Sequence, residues 1–90
     1  MAYVSQAGTP INLSSSAIVS KAGGALIGYH VNSTSSGTIV FKDGTTTGST
    51  AVTGTVTPST GFNAFPAAFP NGLFVTIGGT LDVTFFFDAG

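Results

Sequence analysis

Along most of this chain apolar and polar residues alternate with a period of two, the repeat of a strand that presents one face to a core. Residues 80–87 show it best: Leu81, Val83, Phe85 and Phe87 alternate with Asp82, Thr84, Phe86 and Asp88. The same pattern predicts strands over 16–21, 25–32, 38–42, 51–57 and 73–77. It also predicts further inward rows of Leu73, Val75 and Ile77, of Ile27, Tyr29 and Val31, of Ile39 and Phe41, and of Val52 and Val56. Phe74, Phe86, Leu26 and Val40 fall out of phase with these rows and are expected to face outward. An outward apolar patch marks a contact surface.

Turn chemistry separates the runs. Ala22-Gly23-Gly24 and Gly78-Gly79 are expected to close hairpins, because glycine accepts positive φ. Residues 33–37 and 43–48 read as polar loops. No stretch combines helical apolar spacing with a cap. The fold class predicted is therefore all-β, a small antiparallel β-sandwich (jelly-roll-like or Greek key) with little or no helix. A single domain spans residues 1–90, with 1–15 an extended N-terminal arm. The longest irregular piece expected, 58–72, carries Phe62, Phe65 and Phe69 between prolines, too apolar for a solvated flap.

Composition changes the picture. Five of ninety residues are charged (Lys21, Lys42, Asp43, Asp82 and Asp88), while Ser and Thr number twenty-four and Gly thirteen. A free soluble domain carries about 25% charged residues, and their repulsion keeps copies apart. A chain this bare of charge and rich in strand formers reads as one that other subunits cover. Short chains bury a modest fraction of their surface and need staples. With no Cys there are no disulfides, which leaves oligomerisation or docking. Two lysines twenty-one residues apart make no phosphate-binding patch, so nucleic acid is not an expected partner. No apolar run is long enough for a membrane-spanning helix, and the first residues lack the features of a signal peptide. Synthesis in a cytoplasm without export by the usual route is expected.

Chemistry is sparse. His30 is the only histidine, and nothing in the sequence sets it beside a nucleophile and an acid. Asp82 and Asp88, six apart on one strand, would stand about 20 Å apart, too far for a paired-carboxylate site. Asp43-Gly44 lacks the further acidic residues of a calcium loop. Neither glycine pair has a strand-to-helix phosphate fingerprint. The expectation is no catalytic residue, no cofactor and no metal. The candidate interface residues are Phe74, Phe86, Leu26, Phe62, Phe65 and Phe69. Pairing across a Gly78-Gly79 turn would set Phe74 diagonally beside Phe86, a ring pair suited to clustering at a threefold axis.

The run from Gly24 to Asn32 (Gly-Ala-Leu-Ile-Gly-Tyr-His-Val-Asn) and the following Gly37-Thr38-Ile39-Val40-Phe41-Lys42-Asp43-Gly44 resemble a pattern in small all-β tailed-bacteriophage virion proteins. So do Phe69-Pro70-Asn71-Gly72-Leu73-Phe74-Val75 and Gly79-Thr80-Leu81-Asp82-Val83-Thr84-Phe85. Lys42 departs from the pattern, which more often has an aromatic there. The resemblance covers residues 22–88 and rests on turn and strand chemistry. It implies a β-sandwich acting as a capsid decoration (cement) subunit, with the major capsid protein as partner, a homotrimeric state and a place on the outer capsid surface. A tail, neck or fibre component, or a receptor- or carbohydrate-binding module, is the alternative. Asn63 to Phe65 and Asn71 to Phe74 are the neighbourhoods offering aromatics beside amides.

Overall fold

A computed structural model describes residues 9–88, which contain six strands and no helix. They are β1 (Thr9–Leu13), β2 (Ala17–Ser20), β3 (Gly24–Asp43), β4 (Thr50–Ala51), β5 (Gly61–Phe69) and β6 (Leu73–Asp88). All pair antiparallel in one sheet whose spine is β3 against β6, in contact from Ala25↔Asp88 to Asp43↔Leu73.

That spine is too long to be straight. At about 3.3 Å per residue, the 20 residues of β3 would reach about 66 Å, whereas the longest dimension of the molecule is 39 Å. Tyr29 and Phe41, twelve residues apart on β3, bring their rings to 5.5 Å. Phe41 also meets Phe85 at 6.0 Å, although its cross-strand partner Val75 lies ten residues earlier on β6. Both long strands therefore fold over, and one sheet supplies both layers of a sandwich. The first layer holds β1, residues 80–88 of β6, 24–35 of β3, and β5; the second holds β2, residues 73–78, 38–43, and β4. Val56 extends the second layer by pairing with Ile39 through two 2.8 Å hydrogen bonds.

The fold line has a local cause. Register slips between Val31 and Ser33 and again between Ser35 and Thr38. Ser36 sits in the left-handed region (φ 57°), as does Gly79 opposite (φ 67°), where a Cβ would collide with the Ser36 carbonyl. Between the layers lies one core: Val19, Leu26, Tyr29, Val31, Ile39, Phe41, Phe69, Leu73, Val75, Leu81, Val83, Phe85 and Phe87, all buried. Total accessible surface is 4788 Å², matching the roughly 4,800 Å² expected of a folded monomer of 8.9 kDa. The two layers thus close over each other without a second copy.

The all-β antiparallel class holds, with several corrections inside it. Residues 33–37 and 78–79 do not end strands: each sits within a continuous one, because β3 and β6 stay partners on both sides of the bend. The Gly78-Gly79 hairpin is absent, so Phe74 and Phe86 never meet. Phe74 lies between Ile18 and Lys42 in one layer, and Phe86 between Pro10 and Gly28 in the other. Ala22-Gly23-Gly24 closes no hairpin either, since β2 pairs with β6. Residues 61–69, expected to be irregular, form β5; Pro66 is tolerated because β5 is an edge strand with β3 as its partner. Ile27 is the extra residue at a register slip between Leu26 and Gly28. Leu26 therefore turns into the core at 1% exposure, and Ile27 does not. Val52, expected inside, is 50% exposed, because β4 ends at Ala51. Of the expected arm, residues 9–13 form β1 on the edge of β6, and residues 1–8 lie outside the described part.

Candidate functional site

Two outer sheet faces remain once the core is filled. On the first layer the cross-strand registers align two rows. One runs Asn12, Thr84, His30, Phe62 across β1, β6, β3 and β5; its neighbour runs Pro10, Phe86, Gly28, Ala64. Phe62 is 56% exposed, more than any other large apolar side chain among the described residues. Its ring leans over Gly28, where a Cβ would stand 2.6 Å from Phe62 Cζ, and reaches Phe86 at a centroid distance of 6.1 Å. Gly28 thus lets an aromatic pair lie across two strands.

Beside this pair, toward the fold line, is a polar cluster. Asn12 Nδ2 donates to Asp82 Oδ1 (2.8 Å), Thr84 Oγ1 (3.1 Å) and the Val83 carbonyl (3.2 Å). From the other side Asn32 Nδ2 donates to the same Asp82 and Thr84 oxygens at 3.5 and 3.3 Å. Three strands are cross-linked through one carboxylate. Both amides spend their donors inward, so the Asn12 and Asn32 carbonyl oxygens and Asp82 Oδ2 have no partner among the described residues. His30 is exposed between this cluster and Phe62.

The second layer's outer face is different. Phe74, flanked by Ile18 and Lys42, and Val40, paired with Thr76, make a half-buried apolar surface. Its one lysine is drawn aside, with Lys42 Nζ donating to the Thr47 carbonyl at 2.6 Å. Val52 adds an exposed apolar side chain near the β4 edge.

The expected interface residues therefore separate. Phe62 and Phe86 share the first face, and Phe74 lies on the second. Phe65 is half-buried with its ring 4.8 Å from Phe41. Leu26 and Phe69 are core residues, at 1% and 0% exposure, and offer no surface. Asp43 belongs to a different device: its carboxylate accepts from the Asn71 backbone (3.0 Å) and side-chain amide (3.1 Å), locking the 70–72 turn. The Asn12–Asp82–Asn32 cluster escaped sequence reading because its members lie up to seventy residues apart. The alternation that put Asp82 and Thr84 on one face was its only signal.

Among the described residues there is no cavity and no group of three metal-ligating side chains, and no helix long and apolar enough to cross a membrane. No family model, curated protein or solved structure matches the chain.

Proposed function

We propose that this protein is a structural subunit of a bacteriophage virion, a capsid decoration (cement) protein that seats on the major capsid protein through its second-layer face. The single observation that carries the reading is that face: Ile18, Val40 and Phe74 lie together, and the only charged side chain among them is held back at a turn. In a chain with five charges, nothing there opposes burial against another subunit. The resemblance over residues 22–88 supports the virion setting, and clustering of copies at a threefold axis remains part of the proposal. Quantitative gel analysis of purified particles tests it, with hundreds of copies per particle expected. Phe74→Ser should leave a folded protein that no longer attaches to particles. Absence from particles, or full attachment by Phe74→Ser, would overturn the reading.

A further inference from the structure

We infer that the outer face of the first layer is a binding site for a neutral saccharide, with Phe62 as stacking platform and the Asn12–Asp82–Asn32 cluster as hydroxyl acceptor. Three observations converge on this class of ligand, and none depends on the virion reading.

The first is an exposed aromatic held in place. Phe62 rests on Gly28 and against Phe86, so its ring is positioned before any ligand arrives, and little side-chain freedom is lost on binding. The apolar CH face of a pyranose is the partner such a ring takes without a deep pocket, and no cavity exists here.

The second is the polarity of the cluster beside it. The donors of Asn12 and Asn32 point into Asp82 and Thr84, which orients both amides and leaves their side-chain carbonyl oxygens and Asp82 Oδ2 as acceptors with no partner among the described residues. A set of rigid acceptors is complementary to a ligand that presents several donors, and hydroxyl groups on a ring are that ligand. With strands about 4.8 Å apart and about 3.3 Å per residue, Phe62 and Asn32 stand about 8 Å apart across one strand and along two residues. A disaccharide spans that gap, one unit on the ring and the next against the amides, with His30 between them.

The third is charge. The face carries Asp82 and Asp88, while Lys42 and Lys21 lie at the end of the sandwich away from the fold line and the cluster. None of the strand residues of this layer is a lysine or arginine, so sulfated, phosphorylated and sialylated sugars are disfavoured, as are nucleic acids.

Nuclear magnetic resonance titration of the full chain with neutral disaccharides (lactose, maltose, cellobiose and N-acetylchitobiose) tests the site, with a sialylated and a sulfated sugar as comparators. At least one neutral sugar should shift the side-chain amides of Asn12 and Asn32 and the backbone amides of Gly28 and His30, with Kd on the order of 1 mM. Phe62→Ala should weaken binding about tenfold or more, and Asn32→Ala should do the same from the polar side. Phe74→Ser, on the opposite face, should bind as the parent does, so loss of particle attachment and loss of sugar binding are separable. Silence of these amides toward every neutral sugar, preference for the anionic comparators, or unchanged binding by Phe62→Ala would each overturn the inference.

Discussion

Phe41 is where the two layers hold each other, and its removal measures how much of the fold depends on that closure. The side chain is 0% exposed and meets Tyr29 from the first-layer part of its own strand, Phe65 from β5 and Phe85 from β6, at 5.5, 4.8 and 6.0 Å. Phe→Ala in a core costs about 3–5 kcal/mol through lost transfer free energy and the cavity left behind. Three tilted or edge-on ring contacts place Phe41→Ala in the upper part of that range, about 4 kcal/mol. A ninety-residue domain has about 5–13 kcal/mol in total, so the variant should lose about 30% or more of its stability. At about 4–8 °C per kcal/mol, Tm should fall by about 16–32 °C. Denaturant titration followed by far-ultraviolet dichroism gives the difference, with m unchanged if both proteins unfold from the same closed state. Phe62→Ala, outside the core, is the matched control and should cost less than about 1 kcal/mol. A loss below about 1.5 kcal/mol for Phe41→Ala would mean that the layers are not closed around this ring.

Other substitutions probe single features. Thr76 Oγ1 is buried without a hydrogen-bond partner, so Thr76→Val should be neutral or stabilise by about 1 kcal/mol in the same titration. Gly54 has open space around its Cβ position, and Gly54→Ala should stabilise by about 0.4–1 kcal/mol by restricting the unfolded chain. Gly72→Ala should do the opposite by more than about 1 kcal/mol, because φ is +101° and a Cβ would meet the Ser20 carbonyl at 2.7 Å. Burial raises the Tyr29 pKa above its ordinary 10.0. The unfolded chain therefore loses this proton first, so the Tyr29 contribution is fully present below pH 10 and is lost as pH climbs through the folded value. Denaturation midpoints should fall above pH 10, and Tyr29→Phe should flatten that fall.

The rows over 81–87, 73–75 and 39–41 were legible because each is local: Leu81, Val83, Phe85 and Phe87 need only their own alternation to declare a buried face. The glycine-rich junctions were not. Gly78-Gly79 satisfies the chemistry of a tight hairpin and equally that of a fold within one strand, and only the choice of β3 as partner on both sides decides between them. Residues 61–69 were hidden by Pro66, which disfavours a central strand but not an edge. Leu26 was misplaced by one extra residue, since a bulge at Ile27 reverses the parity of everything before it. The polar cluster needed Asn12, Asn32 and Asp82 to be neighbours, which is a fact of topology.

That topology also sets the order in which the chain can become a protein. β6 is the common partner of β1, β2 and β3, so two of the six strands have no ladder at all until the sixth has been made. At about 5–20 residues per second of synthesis, β1 and β2 wait several seconds for it, and assembly from distant pairings is itself slow, in the millisecond-to-second range. Throughout that interval a nearly uncharged, strand-forming sequence stands open to its neighbours on the same message. Lys42 and Asp43 at the end of β3 are the only adjacent charges there to discourage premature pairing. Yield on expression should therefore be governed less by the stability of the finished sandwich than by how quickly successive chains are made beside one another.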